Sequence, residues 1–279
     1  MIGLAFALPV SIFFNWLERK LRARSQFRVG PPLLQPIYDL IKLFGKQNLR
    51  NIRASPLLSF LPLLYLVPIT LLISRLPFGP WPGNIDLISI FFLLALASIS
   101  SFLSGVLSFS PYGYFGARRE LLQLVSYEAP LVLAILSPAI LYSDFFLDRG
   151  FGFSLILHPA CLVFFLSSLA KLRRSPFDLP NAIQEIVEGP FTEFSGPALA
   201  LIHLSEWLET FCLSSLFYIL FIGIPNLWLH LFSIFCFFLL IVLIDILTPR
   251  WKIERLMRFF WIFTFPLAVI EVGICWWLS

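Results

Sequence analysis

The chain has 279 residues, 59% of them hydrophobic and only 13% charged, with a formal net charge of +4 at pH 7. A water-soluble domain is closer to half apolar and a quarter charged, so this composition excludes an ordinary soluble protein and describes an integral membrane protein. Four cysteines, Cys161, Cys212, Cys236 and Cys275, lie singly in separate apolar segments without a C-x-x-C pair. That pattern argues against zinc or iron–sulfur ligation by this chain and suits small packing residues.

The first apolar run starts at Ile2, and positive charge follows it at Arg19, Lys20, Arg22 and Arg24. A cleavable secretory signal has the opposite order, so this run reads as a first span inserted with its N-terminus outside. Apolar stretches long enough for membrane helices recur over about 2–17, 56–74, 87–108, 121–143, 152–171, 197–222, 227–247 and 259–278. The expected fold is therefore all-α: one polytopic membrane domain over residues 1–279 with about eight transmembrane helices. Proline inside several spans, among them Pro9, Pro68, Pro130, Pro138 and Pro266, predicts kinked or locally broken helices, which membrane bundles tolerate.

Loop charge sets the expected orientation. Eighteen of the 20 lysines and arginines fall in loops about 18–55, 109–120, 172–196 and 248–258, counting Lys171 at the edge of the third; Arg75 and Arg149 are the exceptions. By the positive-inside tendency these loops are cytoplasmic in a multi-pass cell-membrane protein, with both termini outside. The first loop carries nine basic against two acidic residues, a net +7, enough to serve topology or anionic lipid. No nucleic-acid-binding module accompanies it. Within it Leu33, Ile37, Leu40, Ile41 and Phe44 share a helical face opposite Asp39, Lys42 and Lys46, the pattern of an interfacial amphipathic helix. In the third basic loop Asp178 and Pro180 predict a helix start and Gly189 its stop, which would put Asn181, Glu185 and Glu188 on one face.

The polar stretch from Asp178 through Glu185, Glu188 and Glu193 is followed by a span carrying His203, Glu206 and Glu209. An ionised side chain in hydrocarbon costs at least a few kcal/mol and persists mostly where it is paired or lines a wet path. Counting from the basic end, Glu206 lies about 15 Å deep and Glu128 about 10 Å. Both are read as members of a proton or ion path, against structural hydrogen bonds between helices. Glu209 and His203 divide evenly between those roles. Asp245 reads as an interfacial cap or partner of Arg250, and Glu271 as either an outer exit or a paired structural acid.

Several stretches together resemble the membrane subunit called subunit 1 in mitochondrial complex I, together with its bacterial counterpart. They are Glu18-Arg19-Lys20 with Gln26, Arg28 and Gly30-Pro31; Leu34-Gln35-Pro36 through Asp39-Leu40-Ile41-Lys42; and Ser126-Tyr127-Glu128. Then come Pro176-Phe177-Asp178-Leu179-Pro180 with Glu185, Thr192-Glu193-Phe194-Ser195-Gly196 with Glu206, and Arg255-Leu256-Met257-Arg258-Phe259 with Trp261. They occur in family order over most of the chain. Where the complex I form usually inserts residues after Gly-Pro, this chain runs Gly30-Pro31-Pro32-Leu33, and Pro180-Asn181-Ala182-Ile183 replaces a Pro-Glu-Ala-Glu loop. Two acids near the family's quinone chamber are thereby absent. These departures resemble instead the corresponding subunit of energy-converting membrane-bound nickel–iron hydrogenases, the related ferredoxin-dependent sulfane reductases and formate hydrogenlyases.

That resemblance implies a non-catalytic membrane anchor of a ferredoxin-dependent oxidoreductase complex, coupling proton or sulfane reduction to proton or sodium translocation. It implies a hydrophilic large catalytic subunit, iron–sulfur subunits and antiporter-like membrane subunits as partners. Iron–sulfur clusters and a nickel–iron site would sit on those partners, with no cofactor or metal on this chain. Asp178, Glu185, Glu188 and Glu193 would face the arm; Arg19, Arg22, Arg24, Arg28 and Asp39 would anchor the loop or the arm; Glu128, Glu206 and Glu209 would continue the path. The alternatives are a quinone-site subunit of a complex I-type enzyme, a stand-alone secondary transporter, for which no internal repeat is found, and a passive anchor.

Overall fold

A chain that buries its backbone in lipid must satisfy its own N–H and C=O groups, which favours helices. A computed structural model describes residues 2–49, 55–78, 81, 83, 85–147, 151, 152 and 154–278; Arg50, Arg53 and Arg149 of the charge pattern lie outside them. In chain order the helices are α1 (Ile2–Ser25), α2 (Gln35–Phe44), α3 (Leu61–Arg75), α4 (Leu87–Leu107), α5 (Pro111–Tyr142), α6 (His158–Lys171), α7 (Ile183–Ile186), α8 (Gly196–Phe221), α9 (Leu227–Leu247), α10 (Ile253–Phe259) and α11 (Phe265–Leu278). Short 3₁₀ turns precede α3 and α6. Among the described residues no β-strand forms; of two isolated bridges, Phe78 with Trp81 closes a turn and Asp86 with Phe146 joins the segment before α4 to the segment after α5.

A helix coincides with each of the eight expected spans. Six helical stretches among the described residues are long and apolar enough to cross a membrane, and Leu155–Lys171 is a shorter apolar one. Helix α1 has 24 residues, with its last turns charged. Helix α5 starts ten residues before the expected boundary, because Pro111 opens the helix at its first position and the polar segment to Glu120 simply continues it. At 32 residues it is about 48 Å long, well beyond the roughly 30 Å hydrocarbon core, so its basic end stands outside the lipid.

Helix α8 is the most deeply buried of the six long apolar stretches. Its apolar window is 83% buried, against 28% for the stretch containing α10 and α11. Phe217 of α8 packs on Phe237 of α9 at 4.7 Å between ring centroids, and Phe221 meets Phe164 of α6 edge-on at 5.8 Å. Helix α11 lies against α5 and α6. Between α10 and α11 the chain makes one π turn, Phe260–Thr264, immediately before Pro266. Proline lacks the N–H an α-turn needs there, and Thr264 Oγ1 donates back to the Phe260 carbonyl at 2.8 Å.

The acidic segment departs from expectation. In place of a helix from Asp178 to Gly189 there is one turn, α7, and then a 3₁₀ turn at Gly189–Phe191. Asn181, Glu185 and Glu188 therefore do not share a helical face. Val187 has φ +61° and Gly189 φ +53°, left-handed values that stop helix propagation. The segment instead lies flat on α4 and α5, where small residues let backbones meet: a Cβ on Gly116 would come within 2.7 Å of the Gly189 backbone, and one on Gly189 within 1.9 Å of the Pro180 carbonyl oxygen. Gly189→Ala combines a left-handed φ, costing about 1 kcal/mol or more, with that clash. Its expected result is a lowered thermal midpoint of the detergent-solubilised chain; an unchanged midpoint would contradict this geometry.

Candidate functional site

The site begins where α6 ends. Leu172, Arg173 and Arg174 close the helix by donating to the carbonyls of Ser168, Ala170 and Leu169 at 2.9–3.0 Å, a Schellman-type stop. The left-handed position usually taken by glycine is held by Arg173, φ +52°. The tight turn sends Lys171, Arg173 and Arg174 in three directions, each to a different set of carboxylates.

Lys171 points inward. Its Nζ donates to the Leu94 carbonyl at 3.0 Å and to Ser98 Oγ, and pairs with Glu209 Oε1 at 3.3 Å. Tyr65 donates to the other Glu209 oxygen at 2.7 Å. Both charged groups are almost wholly buried, so each depends on the other for its solvation. Arg173 joins two helices: its Nε contacts both Glu120 oxygens at 3.1 and 3.0 Å, and its Nη1 reaches Glu206 Oε1 at 3.2 Å. Its guanidinium carbon also lies 5.1 Å from the centre of the Phe191 ring, in the acidic segment, within cation–π range. Burial works against the Arg173 charge, but Glu120, Tyr65, Glu206 and Glu209 outweigh it and hold the group firmly protonated. Glu206 Oε2 also faces His203 Nδ1 at 3.4 Å.

Arg174 turns toward α1, where it pairs with Glu18. Arg22 bridges Glu18, at 3.0 Å, and Asp245, and the Ser175 N–H donates to Asp245 at 3.0 Å. Arg250 holds Asp178 at 2.8 Å. Burial pushes the Asp178 carboxyl above the usual carboxylate range, and Arg250 only partly offsets this. Both ionic clusters line one cavity of about 390 Å³, bounded by Asn15, Asp178, Asn181, Glu188, Glu206 and Trp207 among others, with room for roughly a dozen waters.

Charge counting separates the two clusters. Beside α1, two arginines face two carboxylates. At the α6 turn, Lys171 and Arg173 face Glu120, Glu206 and Glu209. Glu128 stands two turns beyond Glu120 on α5, half-buried, with Lys171 as the cation acting on it. Between them Gln123 donates to the Ala170 carbonyl at 2.7 Å, while its Oε1 is buried without a partner among the described residues. Three carboxyls thus pair with two cations, Arg174 acts on Glu206 from farther away, and Glu128 has only the distant Lys171. A proton, protonated His203 or cavity water must make up the difference.

The structure brings Glu206, Glu209 and His203 together, with Glu128 alongside. Glu271 stands apart, buried beside Cys275 with His158 as its other neighbour. His158 opens α6 and Lys171 ends it, so about 20 Å of helix separates them. In the acidic segment Glu185 pairs with Arg119 at 2.5 Å, Glu188 lines the cavity rim, and Glu193 sits near Asn48 and Leu49. The first-loop arginines do not hold this segment: Arg19 is paired with Asp39 at 2.6 Å, Arg22 with Glu18 and Asp245, and Arg24 and Arg28 are exposed. Arg250 and Arg119 hold it. The expected Asp245–Arg250 pair is likewise replaced by Asp245–Arg22 and Arg250–Asp178. Sequence reasoning misses Lys171, Arg173, Arg174, Glu120 and Tyr65; the run of three cations closing an apolar segment is their one visible signal. Among the described residues no group of three or more His, Cys, Asp or Glu side chains could hold a metal ion.

The sequence matches the NADH dehydrogenase family over residues 1–276. The chain belongs to the subunit 1 family of complex I-like enzymes. It is 36% identical to NADH-quinone oxidoreductase subunit 8 of Thermus thermophilus, over 97% of this chain and 82% of that protein. It is 32% identical to the corresponding NADH-quinone oxidoreductase subunit of Dehalococcoides mccartyi strain 195, over 98% of this chain and 84% of that one. Among solved structures it resembles a chain of the membrane-bound sulfane sulfur reductase, an archaeal respiratory membrane complex, with a TM-score of 0.84, 27% identity, and 98% and 96% of the two chains covered. These relatives are subunits of multisubunit respiratory complexes, and this chain is a multi-pass membrane protein.

Proposed function

We propose that this chain is the membrane-anchor and coupling subunit of a ferredoxin-dependent respiratory complex, linking reduction of protons or sulfane sulfur in a docked hydrophilic arm to ion movement across the bilayer. The observation that carries this reading is the sharing of Lys171 and Arg173 at the α6 turn among buried Glu120 and Glu209 and partly exposed Glu206, which borders the cavity. Such a cluster takes up or releases a proton when a neighbouring charge changes. At an effective dielectric of about 20, a unit charge appearing 4 Å away is worth roughly 4 kcal/mol, enough to move a pKa by about three units. The acidic segment supplies the mechanical contact, because Phe191 sits over the same Arg173 that joins Glu120 to Glu206.

In this reading the basic loops face the cytoplasm, the termini face outward, and Asp178, Glu185, Glu188 and Glu193 face the arm and its iron–sulfur subunits. Glu128, Glu206, Glu209 and His203 lead on toward antiporter-like membrane partners, and Glu271 marks an outer exit. Iron–sulfur clusters and any nickel–iron site reside on the partners.

Likeness of fold supports the sulfane reductase or hydrogenase branch: the chain follows the sulfane reductase subunit with a TM-score of 0.84 over 98% of its residues. The quinone reading draws on higher identity to the quinone-linked relatives and on the cavity. The two separate in one assay of the purified complex. Reduced ferredoxin should drive hydrogen or sulfide production; quinol formation from NADH, with no ferredoxin-linked product, would replace this reading with the quinone one.

A further inference from the structure

A second cleft, of about 240 Å³, opens between α2, α1 and α8 and meets the proposed coupling path only at His203. Its floor is apolar: Leu40 and Leu43 of α2 face Leu199 and Trp207 of α8. Its rim is cationic, with Lys42 in the last turn of α2, Lys46 just beyond the helix end and Arg19 on α1. Asp39, the acid at this rim, is already engaged by Arg19 at 2.6 Å and Gln35 at 3.0 Å. Lys42 also acts on Asp39 from beyond ion-pair distance, and neither lysine forms an ion pair among the described residues. His203, at the inner edge, faces Glu206.

The outer side of α2 indicates where this cleft sits. Tyr38, Ile41 and Phe44 are 50–64% exposed, as are Leu33 and nearby Leu34 at about half, and Phe27 and Val29 precede them almost fully exposed. A helix with an apolar outer stripe and lysines beside it lies at the boundary of hydrocarbon and headgroups. The cleft is therefore at headgroup level, with two neighbouring cations above an apolar slot. That combination matches a phosphodiester carrying an acyl or alkyl chain.

We infer that this cleft binds one anionic phospholipid, its phosphate between Lys42 and Lys46 and its chain against Leu40, Leu43, Leu199 and Trp207. The lipid closes the side of the bundle at which the larger cavity, which shares Arg19, Leu199, His203 and Trp207 with the cleft, approaches the bilayer. A bulk interfacial attraction would spread over all basic residues at this end; a site concentrates the effect on two.

The test uses the full chain, purified in detergent with whatever subunits accompany it, and native mass spectrometry of retained lipid. Wild type should retain phosphatidylglycerol in preference to phosphatidylcholine. Each cation at a membrane surface is worth about 1 kcal/mol, or about fivefold, so Lys42→Gln/Lys46→Gln should weaken retention about 25-fold. Lys42→Arg/Lys46→Arg should retain the lipid, and the charge-matched control Lys252→Gln/Arg258→Gln should leave it unchanged. Equal retention by wild type and the glutamine pair overturns the site, as does equal loss in the control pair or in the arginine pair. Glycerol phosphate binding as tightly as the lipid would overturn the lipid as ligand. Absence of any phosphatidylglycerol preference, as when an acidic protein segment fills the cleft, overturns it too.

Discussion

Arg173→Gln should destabilise the folded chain by about 3–5 kcal/mol, the cost of leaving buried charges without their partner. Its guanidinium serves Glu120 on α5 and Glu206 on α8 at once, at 3.0–3.2 Å, and supports Phe191. Removing it strands one wholly buried carboxylate and one partly buried one. Arg173→Lys should recover little, because a compact ammonium cannot span both Glu120 oxygens and reach Glu206 as well. The double variant Glu120→Gln/Arg173→Gln should recover part of the loss, since it removes the stranded charge along with its partner. Arg173→Gly should also be damaging, although it relieves the left-handed backbone by about 1 kcal/mol. Unfolding in detergent followed by tryptophan fluorescence reads all four. A glutamine variant as stable as wild type would mean that the cluster is solvated in some other way.

The second large effect concerns coupling. Glu206→Gln, in the assembled complex in proteoliposomes, should leave electron transfer running while ion translocation per electron falls to the leak rate. Glu206 is the carboxyl that touches both the shared arginine and His203 and also borders the cavity, so it connects the cluster to water. Glutamine keeps the size and one hydrogen bond but cannot carry a proton. A passive anchor predicts the reverse: less assembled complex, with normal translocation in what assembles. Measured ion movement per electron that stays at the wild-type value would reject the relay role of Glu206.

How much of this can be read from the residues depends on the range of the interaction concerned. Helix positions follow from local composition, and the boundaries at Leu87, Gly196 and Leu227 fall within one residue of expectation. Glu120 escapes notice because hydropathy ends the span at 121, whereas a helix opened by Pro111 carries polar residues as readily as apolar ones. The acidic segment reads as a helix because capping signals at Asp178 and Gly189 are local. What decides its shape is the close backbone approach to Gly116, 73 residues earlier. The acids of the proposed path are visible because carboxylates in lipid are conspicuous. Their cations are not, because Lys171, Arg173 and Arg174 also serve the loop-charge pattern, which accounts for them without any pairing. Which acid each one meets is set by the left-handed turn at Arg173, and a one-dimensional pattern does not disclose that.

The π turn at Phe260–Thr264 adds one residue to a helical turn. One extra residue swings everything downstream about the helix axis by about 100°. Glu271 and Cys275 are sealed against α5 and α6 on account of that offset; with a regular helix the same side chains would be aimed at acyl chains. Insertion or deletion of one codon in this stretch can thus move an acid between interior and lipid without changing its identity. When family members are compared, an acid here should be judged by its angular position after counting through the turn, because column alignment alone will mistake a rotated carboxyl for an equivalent one.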